Sequence, residues 1–149
     1  MKLTYTLFTA LLGCFLISPT DVNAANIGQT VSRWYSPQQA KNGLPLYQQH
    51  CASCHQADTS GAKYWYYKDE NGNYPAPPLN GTGHTFHHPL VSLRKTINKG
   101  GKSNGGTMPG FGGTLNEQQT DEVLAWIQSN WSDELYSAWI RWSKLAKKH

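Results

Sequence analysis

The chain has 149 residues, three of them cysteine, and a formal net charge of +4 at pH 7. This excess of positive charge is too small for a nucleic-acid-binding protein, which concentrates basic residues on one face. The first 24 residues have the pattern of a secretion signal, with Lys2, an apolar run from Leu7 to Ile17 and small residues ending in Ala24. That run is about eleven residues long, well short of the roughly eighteen that a membrane span needs. We therefore expect no membrane span, cleavage after Ala24 and export to the periplasm.

Cys14 offers a second interpretation of the same segment. Residues 11–14, LLGC, resemble a bacterial lipobox, which would anchor the chain through a lipid on Cys14. However, the apolar run continues through residues 15–17, and cleavage before Cys14 would leave a very short signal. We therefore favour cleavage at Ala24 and keep lipidation as the alternative.

Cleavage after Ala24 leaves about 125 residues, which fits a single domain. Changes in pattern divide them into a leader (residues 25–35), a main domain (residues 36–130) and a C-terminal extension (residues 131–149). The leader is expected to be extended or loose, and the other two parts are expected to be helical.

The first helix is predicted from Gln38 to His50. Ser36 suits the N-cap, and Pro37 suits the first helical position. Pro45 argues against an unbroken helix, because a proline inside a helix removes one backbone hydrogen bond and costs roughly 3 kcal/mol. We therefore expect a kink near residues 42–43 or a helix in two pieces.

The middle of the main domain is predicted to be irregular apart from one short helix. Residues 56–76 are polar and aromatic with the turn signal Asn71-Gly72, and the prolines of residues 75–78 exclude a regular helix or a central strand there. A helix is predicted from Pro89 to Asn98, because its apolar residues share one face. A glycine-rich loop, residues 99–113, follows it.

Two more helices are predicted towards the C-terminus. Asn116 suits an N-cap, and Gln119 three residues later makes the pattern close to a capping box. The last helix is predicted to begin at Asp133 with Ser132 as its cap. Its apolar residues recur at near-helical spacing: Leu135, Trp139, Trp142 and Leu145. No window alternates well enough to predict a strand, so the predicted fold class is all-α.

The motif Cys51-Ala52-Ser53-Cys54-His55 indicates covalent attachment of a c-type haem. Two thiols separated by two residues can each bind one vinyl group of a porphyrin, and the following histidine then supplies an axial ligand to the iron. A disulfide between Cys51 and Cys54 is one alternative in an exported protein. A zinc site that recruits His84 with His87 or His88 is another, although a gap of about thirty residues departs from the usual spacing.

Met108 is the only methionine besides the initiator and lies in a glycine- and proline-rich loop. A lone thioether downstream of the haem motif is a natural second axial ligand. The rivals are His84, His87 and His88, which form the pattern H-x-x-H-H. We favour Met108 and interpret the three histidines as loop polarity, with binding of copper or another metal as the alternative.

From Ser36 to about Ser129 the chain resembles a class I mono-haem cytochrome c. The resemblance rests on the haem motif and on four other segments in the family order: Gly43 with residues 46–47, residues 77–81 (PPLNG) as the P-x-L-x-G segment, residues 108–111 as the distal-ligand loop, and residues 115–129 as the C-terminal helix.

This resemblance implies a cytochrome c-like fold of short helices around one covalent haem c, here with an extra C-terminal helix. It also implies that the Pro77 carbonyl accepts a hydrogen bond from the proximal imidazole of His55, and that Trp126 packs on Gly43. Six residues are therefore expected to bind the cofactor: Cys51, Cys54, His55, Pro77, Leu79 and Met108. His55 and Met108 are the expected iron ligands.

The predicted function is electron transfer, without a catalytic constellation of the chain's own. Basic residues cluster in two stretches, which are either solvated helix faces or a docking surface for a redox partner with an acidic face. The clusters are Arg94, Lys95, Lys99 and Lys102, and Arg141, Lys144, Lys147 and Lys148. The alternatives are a haem sensor or peroxidase-like enzyme with an open distal site, and a metal-handling protein that uses the three histidines.

Overall fold

The computed structural model describes residues 31–146, so the predicted signal, Cys14 and most of the leader lie outside the described residues. Five helices follow one another in this range: α1 (Pro37–His50), α2 (Ala52–His55), α3 (Leu90–Lys99), α4 (Glu117–Ser129) and α5 (Asp133–Ala146). Short 3-10 turns at Thr85–His87 and Lys102–Asn104 interrupt the loops. Residues 31–146 contain no strand, only an isolated bridge between Tyr74 and Gly106, which confirms the all-α prediction.

Helix α1 begins with a complete capping box. The Ser36 hydroxyl accepts a hydrogen bond from the Gln39 N–H (3.2 Å), and the Gln39 side chain accepts one from the Ser36 N–H (2.9 Å). The helix then runs unbroken past Pro45, so the expectation of two pieces is wrong. Pro45 is exposed, and so is Lys41, whose carbonyl loses its helical partner. Water can solvate that carbonyl, while the opposite face of the helix remains packed.

The packed face of α1 crosses α4 at Gly43. A Cβ added to Gly43 would lie 1.8 Å from the carbonyl oxygen of Glu122 and 2.9 Å from the Cβ of Trp126, so only glycine allows this approach. One turn later the rings of Tyr47 and Trp126 pack 4.2 Å apart. Glu122 is itself buried and accepts a hydrogen bond from the Asn42 amide (3.0 Å). The predicted packing of Trp126 on Gly43 is therefore present.

Helix α4 has the capping box that its sequence predicts, with the Asn116 side chain accepting from the Gln119 N–H (2.8 Å) and the Gln119 side chain accepting from the Asn116 N–H (3.0 Å). Its buried apolar face forms the main core together with Tyr47 of α1 and one face of α3. The members of this core are Tyr47, Leu93, Ile97, Leu115, Val123, Leu124 and Ile127.

A second, smaller core joins the end of the leader to the C-terminal extension. Trp131, Tyr136 and Trp139 are its buried residues. The Arg33 guanidinium donates to the carbonyls of Gln128 (3.1 Å) and Trp131 (3.2 Å), and it pairs with Asp133. The leader is therefore packed rather than loose where the structure describes it. No helix in the described part of the chain is both long and apolar enough to cross a membrane.

Candidate functional site

A cavity of about 730 Å³ lies between the two cysteines, the proline-rich segment and the glycine-rich loop. This volume falls in the usual range of small-molecule sites, roughly 300–1,000 Å³. Its inner wall is apolar and comes from α3 and α4: Leu93, Ile97, Val123, Leu124 and Ile127. All six residues predicted to bind the cofactor line this one cavity: Cys51, Cys54, His55, Pro77, Leu79 and Met108.

The two thiols are positioned by the junction of α1 and α2. The Cys51 N–H donates to the Tyr47 carbonyl (2.8 Å), and the Cys51 carbonyl accepts from the His55 N–H (2.9 Å). This single turn places Cys51 and Cys54 three residues apart on one side of the chain. Both thiols are free, which contradicts the disulfide alternative. Burial, with a smaller contribution from Cys54, raises the pKa of the Cys51 thiol to about 11.

His55 is buried, and its ring is oriented by one hydrogen bond. The Nδ1 atom lies 2.8 Å from the carbonyl oxygen of Pro77. Because a carbonyl oxygen can only accept, Nδ1 carries the proton and Nε2 keeps its lone pair. Burial lowers the pKa of His55, and the bond to Pro77 opposes this shift. The imidazole is therefore neutral and fixed in the tautomer that a metal ligand needs.

The backbone around Pro77 is held against the haem motif by close contacts. The Gly61 N–H donates to the His55 carbonyl (2.9 Å), and the Leu79 N–H donates to the Thr59 carbonyl (2.8 Å). Gly61 has a positive φ of 68°, and a Cβ there would lie 2.5 Å from the carbonyl carbon of Pro77. The proline-rich segment thus lies directly on the turn that follows His55.

Met108 is half-buried and packs against the main core. Its loop returns along the C-terminal end of α3, where the Gly101 N–H donates to the Met108 carbonyl (3.0 Å) and the Phe111 N–H donates to the Ile97 carbonyl (2.8 Å). Gly100 has a positive φ of 82°, and a Cβ there would lie 2.6 Å from the Met108 oxygen. Glycine therefore permits the close approach that brings the thioether to the cavity.

The three histidines of the H-x-x-H-H pattern are exposed. His84 and His88 border the cavity with their rings 5.7 Å apart, and His84 also packs on Trp65 (5.4 Å). His87 contacts Phe86 instead (4.1 Å). Partial desolvation of the ring, followed by the charges of the nearby His88 and His87, lowers the pKa of His84. Among the described residues no group of three or more His, Cys, Asp or Glu side chains is placed to hold a metal ion.

One residue of the first basic cluster is not free to attract a partner. The Arg94 guanidinium donates two hydrogen bonds to Asp121, at 2.6 and 2.8 Å. These bonds raise the pKa of Arg94 and offset its charge. Lys95, Lys99 and Lys102 remain exposed, and Lys102 lies between Gly101 and Asn104, two residues that border the cavity.

The sequence did not reveal two tryptophan contacts beside this site. The indole N–H of Trp131 donates to the Leu79 carbonyl (2.7 Å), and that of Trp139 donates to the His88 carbonyl (2.9 Å). The sequence does show two tryptophans in the C-terminal extension, whose N–H groups need acceptors when buried. Helical spacing, however, does not identify the backbone carbonyls that accept these hydrogen bonds.

The donors around the cavity fit a c-type haem: two free thiols, a neutral oriented imidazole and a thioether, around an apolar wall. A family model described as cytochrome C oxidase, cbb3-type, subunit III matches residues 38–127. No curated protein and no solved structure matched the chain in the two other comparisons. Membership of this family implies a haem c cofactor, haem-based electron transfer and redox partners or a redox complex. The chain therefore belongs to the cytochrome c family described by the cbb3-type oxidase subunit III domain.

Proposed function

We propose that the protein is a periplasmic electron carrier that holds one haem c with His55 and Met108 as axial ligands. The observation that supports this best is the hydrogen bond from His55 Nδ1 to Pro77, because it leaves Nε2 free in a cavity that Met108 also borders. A haem bound there would supply an iron that accepts and releases one electron. The periplasmic location is proposed from the secretion pattern of residues 1–24 alone.

Each polar group of the cavity has a distinct task in this proposal. The thiols of Cys51 and Cys54 anchor the porphyrin through thioether bonds, so the cofactor stays bound in both oxidation states. The Pro77 carbonyl keeps the His55 ring in one tautomer and raises its basicity as a ligand. Met108 would supply the second iron ligand and so leave no open iron site for substrate chemistry, which favours a carrier over a sensor or peroxidase.

The axial role of Met108 is tested by the variant Met108→Ala in the haem-loaded protein. We expect the ferric protein to lose the weak sulfur-to-iron charge-transfer band and its reduction potential to fall, since a Met/His pair favours a higher potential than the ligands that would replace it. His84→Ala is the matched control, because His84 borders the same cavity and is the rival ligand. An unchanged spectrum in Met108→Ala, or loss of the band in His84→Ala, would contradict the assignment.

The partner is proposed to present an acidic face to the lysines beside the cavity. Steering between opposite charges raises the association rate and is screened by salt. We expect Lys102→Glu to slow electron exchange with an acidic redox protein at low ionic strength by about tenfold, with the difference disappearing at high salt. Lys41→Glu is the control, because it carries the same charge change on α1 more than two turns before His50, the end that borders the cavity. Equal electron-exchange rates for the two variants would refute docking of the partner beside Lys102.

A further inference from the structure

The C-terminal extension contacts the segment that orients His55. Trp131 is only 2% exposed, and its indole N–H donates to the Leu79 carbonyl at 2.7 Å. Leu79 lies two residues after Pro77, whose carbonyl accepts the His55 hydrogen bond. A part-buried carbonyl with a short, well-formed bond is favoured in one orientation, because losing that bond costs free energy. Trp131 therefore limits the movement of the backbone that carries the His55 partner.

A second contact of the extension falls on the same segment. Gly81, at the end of the P-x-L-x-G pattern, has a positive φ of 97°, and a Cβ there would lie 2.1 Å from Cδ2 of Leu135. The Leu135 side chain of helix α5 thus lies directly on the backbone of Gly81. The proline-rich segment is consequently enclosed, with the turn after His55 on one side and α5 on the other.

The extension is itself fixed by the leader. Arg33 donates to the Trp131 carbonyl (3.2 Å), and the Trp34 N–H donates to the hydroxyl of Tyr136, which is fully buried. The Arg33 guanidinium also lies 4.1 Å from the centre of the Tyr136 ring. These contacts of the leader with Trp131 and Tyr136 hold the extension in place, which gives Trp131 the rigidity that a positioning residue needs.

We propose that the C-terminal extension positions the proximal ligand: Trp131 holds the Leu79 carbonyl and thereby maintains the hydrogen bond between His55 and Pro77. This inference rests on the proposed role of His55 as an iron ligand. A hydrogen bond at Nδ1 makes the imidazole a stronger donor to the metal, which favours the ferric state. Loosening the segment weakens that bond, so it raises the reduction potential and frees the ring N–H to exchange with solvent.

The test compares two tryptophans in the haem-loaded, full mature protein. Trp131→Phe removes the donor to Leu79 and keeps a ring in the core, and Trp139→Phe does the same for the donor to His88. Trp139 is also buried (5% exposed), so a merely structural effect should be similar in both variants. The readouts are the exchange rate of the His55 Nδ1 proton, followed by NMR in the ferrous protein, and the reduction potential. We expect exchange at least about tenfold faster and a higher potential in Trp131→Phe only.

Equal exchange rates in wild type and Trp131→Phe, or equal changes in both variants, would overturn the positioning role. If Trp131→Phe fails to accumulate, Leu135→Ala provides the same test, because it removes the contact on Gly81 and leaves every indole hydrogen bond in place. It is expected to speed exchange in the same direction but less, and an unchanged rate would count against the proposal. This test can fail independently of the proposed axial pair. A missing sulfur-to-iron band in the wild type would refute Met108 as an iron ligand, whereas proton exchange reports only the hydrogen bond between His55 and Pro77.

Discussion

Replacing Gly43 by alanine is expected to force α1 and α4 apart. A Cβ at this position would lie 1.8 Å from the Glu122 oxygen, whereas Cβ contacts below 3.0 Å essentially never occur. Because that oxygen belongs to the backbone of a packed helix, no side-chain rotation can relieve the clash. The facing backbones must therefore separate by at least about 1.2 Å, from 1.8 to 3.0 Å, at this point.

The cost follows from the contacts that such a gap would weaken. A gap near 1 Å removes up to half of the dispersion energy of a contact. Removing a buried aromatic ring altogether costs about 4 kcal/mol of folding free energy. Weakening the packing of Tyr47, which is fully buried against Trp126, should therefore cost about 2 kcal/mol. The hydrogen bond from Asn42 to Glu122 would be lost at a further cost of about 2 kcal/mol. Alanine recovers about 1 kcal/mol through its better helix propensity. The net destabilisation is about 3 kcal/mol.

The assay is thermal unfolding of the haem-loaded protein, followed by far-ultraviolet circular dichroism. For a domain of this size we expect Gly43→Ala to lower the Tm by about 10 °C. Gly113→Ala is the control, since a Cβ there meets nothing within 4 Å and its φ is not positive. A Tm for Gly43→Ala that matches the wild type and Gly113→Ala would refute the argument that glycine is required at the helix crossing.

Two further predictions concern the turn after the haem motif and the buried tyrosine above it. Gly61→Ala and Gly72→Ala both place a side chain at positive φ, a strain of about 1–2 kcal/mol, but only Gly61→Ala also meets backbone, 2.5 Å from Pro77. We expect Gly61→Ala to lose about 2 kcal/mol more in denaturant unfolding, and equal losses would contradict the contact. The Tyr47 hydroxyl donates to the Gln56 carbonyl (2.7 Å), and burial raises the pKa of Tyr47 above its usual 10.0. The folded state therefore keeps this proton while the unfolded state releases it, so above about pH 10 the wild type should lose up to about 1.4 kcal/mol of unfolding free energy per pH unit relative to Tyr47→Phe. Parallel pH profiles for the two proteins would contradict this.

Local features of the chain were predictable from sequence where short-range chemistry determines them. Ser36 and Asn116 begin helices because each is followed three residues later by a glutamine that completes a capping box. The haem motif and the glycine-rich loop around Met108 mark the cavity because few other functions need those residue types in that order. The break at Pro45 was wrongly predicted, because the local penalty of a proline was weighed without the packing of the opposite helix face on α4.

Contacts between distant segments could not be predicted in the same way. Arg33 was assigned to a loose leader, yet it bonds to the carbonyls of Gln128 and Trp131, almost a hundred residues later in the chain. The spacing of Trp131 and Trp139 indicates amphipathic residues but not the carbonyls that accept their N–H groups. Arg94 likewise looked like part of a free basic cluster until its pairing with Asp121 was visible. Each of these contacts depends on the three-dimensional arrangement of helices, which no periodicity encodes.

The central claim is the closed axial pair of His55 and Met108, and the most direct test is the optical and near-infrared spectrum of the ferric, haem-loaded wild type. We expect a low-spin spectrum that contains the weak sulfur-to-iron charge-transfer band, because the His55 imidazole and the Met108 thioether both border the cavity. A high-spin spectrum without that band would contradict the claim, since it would mean that the iron has an open position for small ligands.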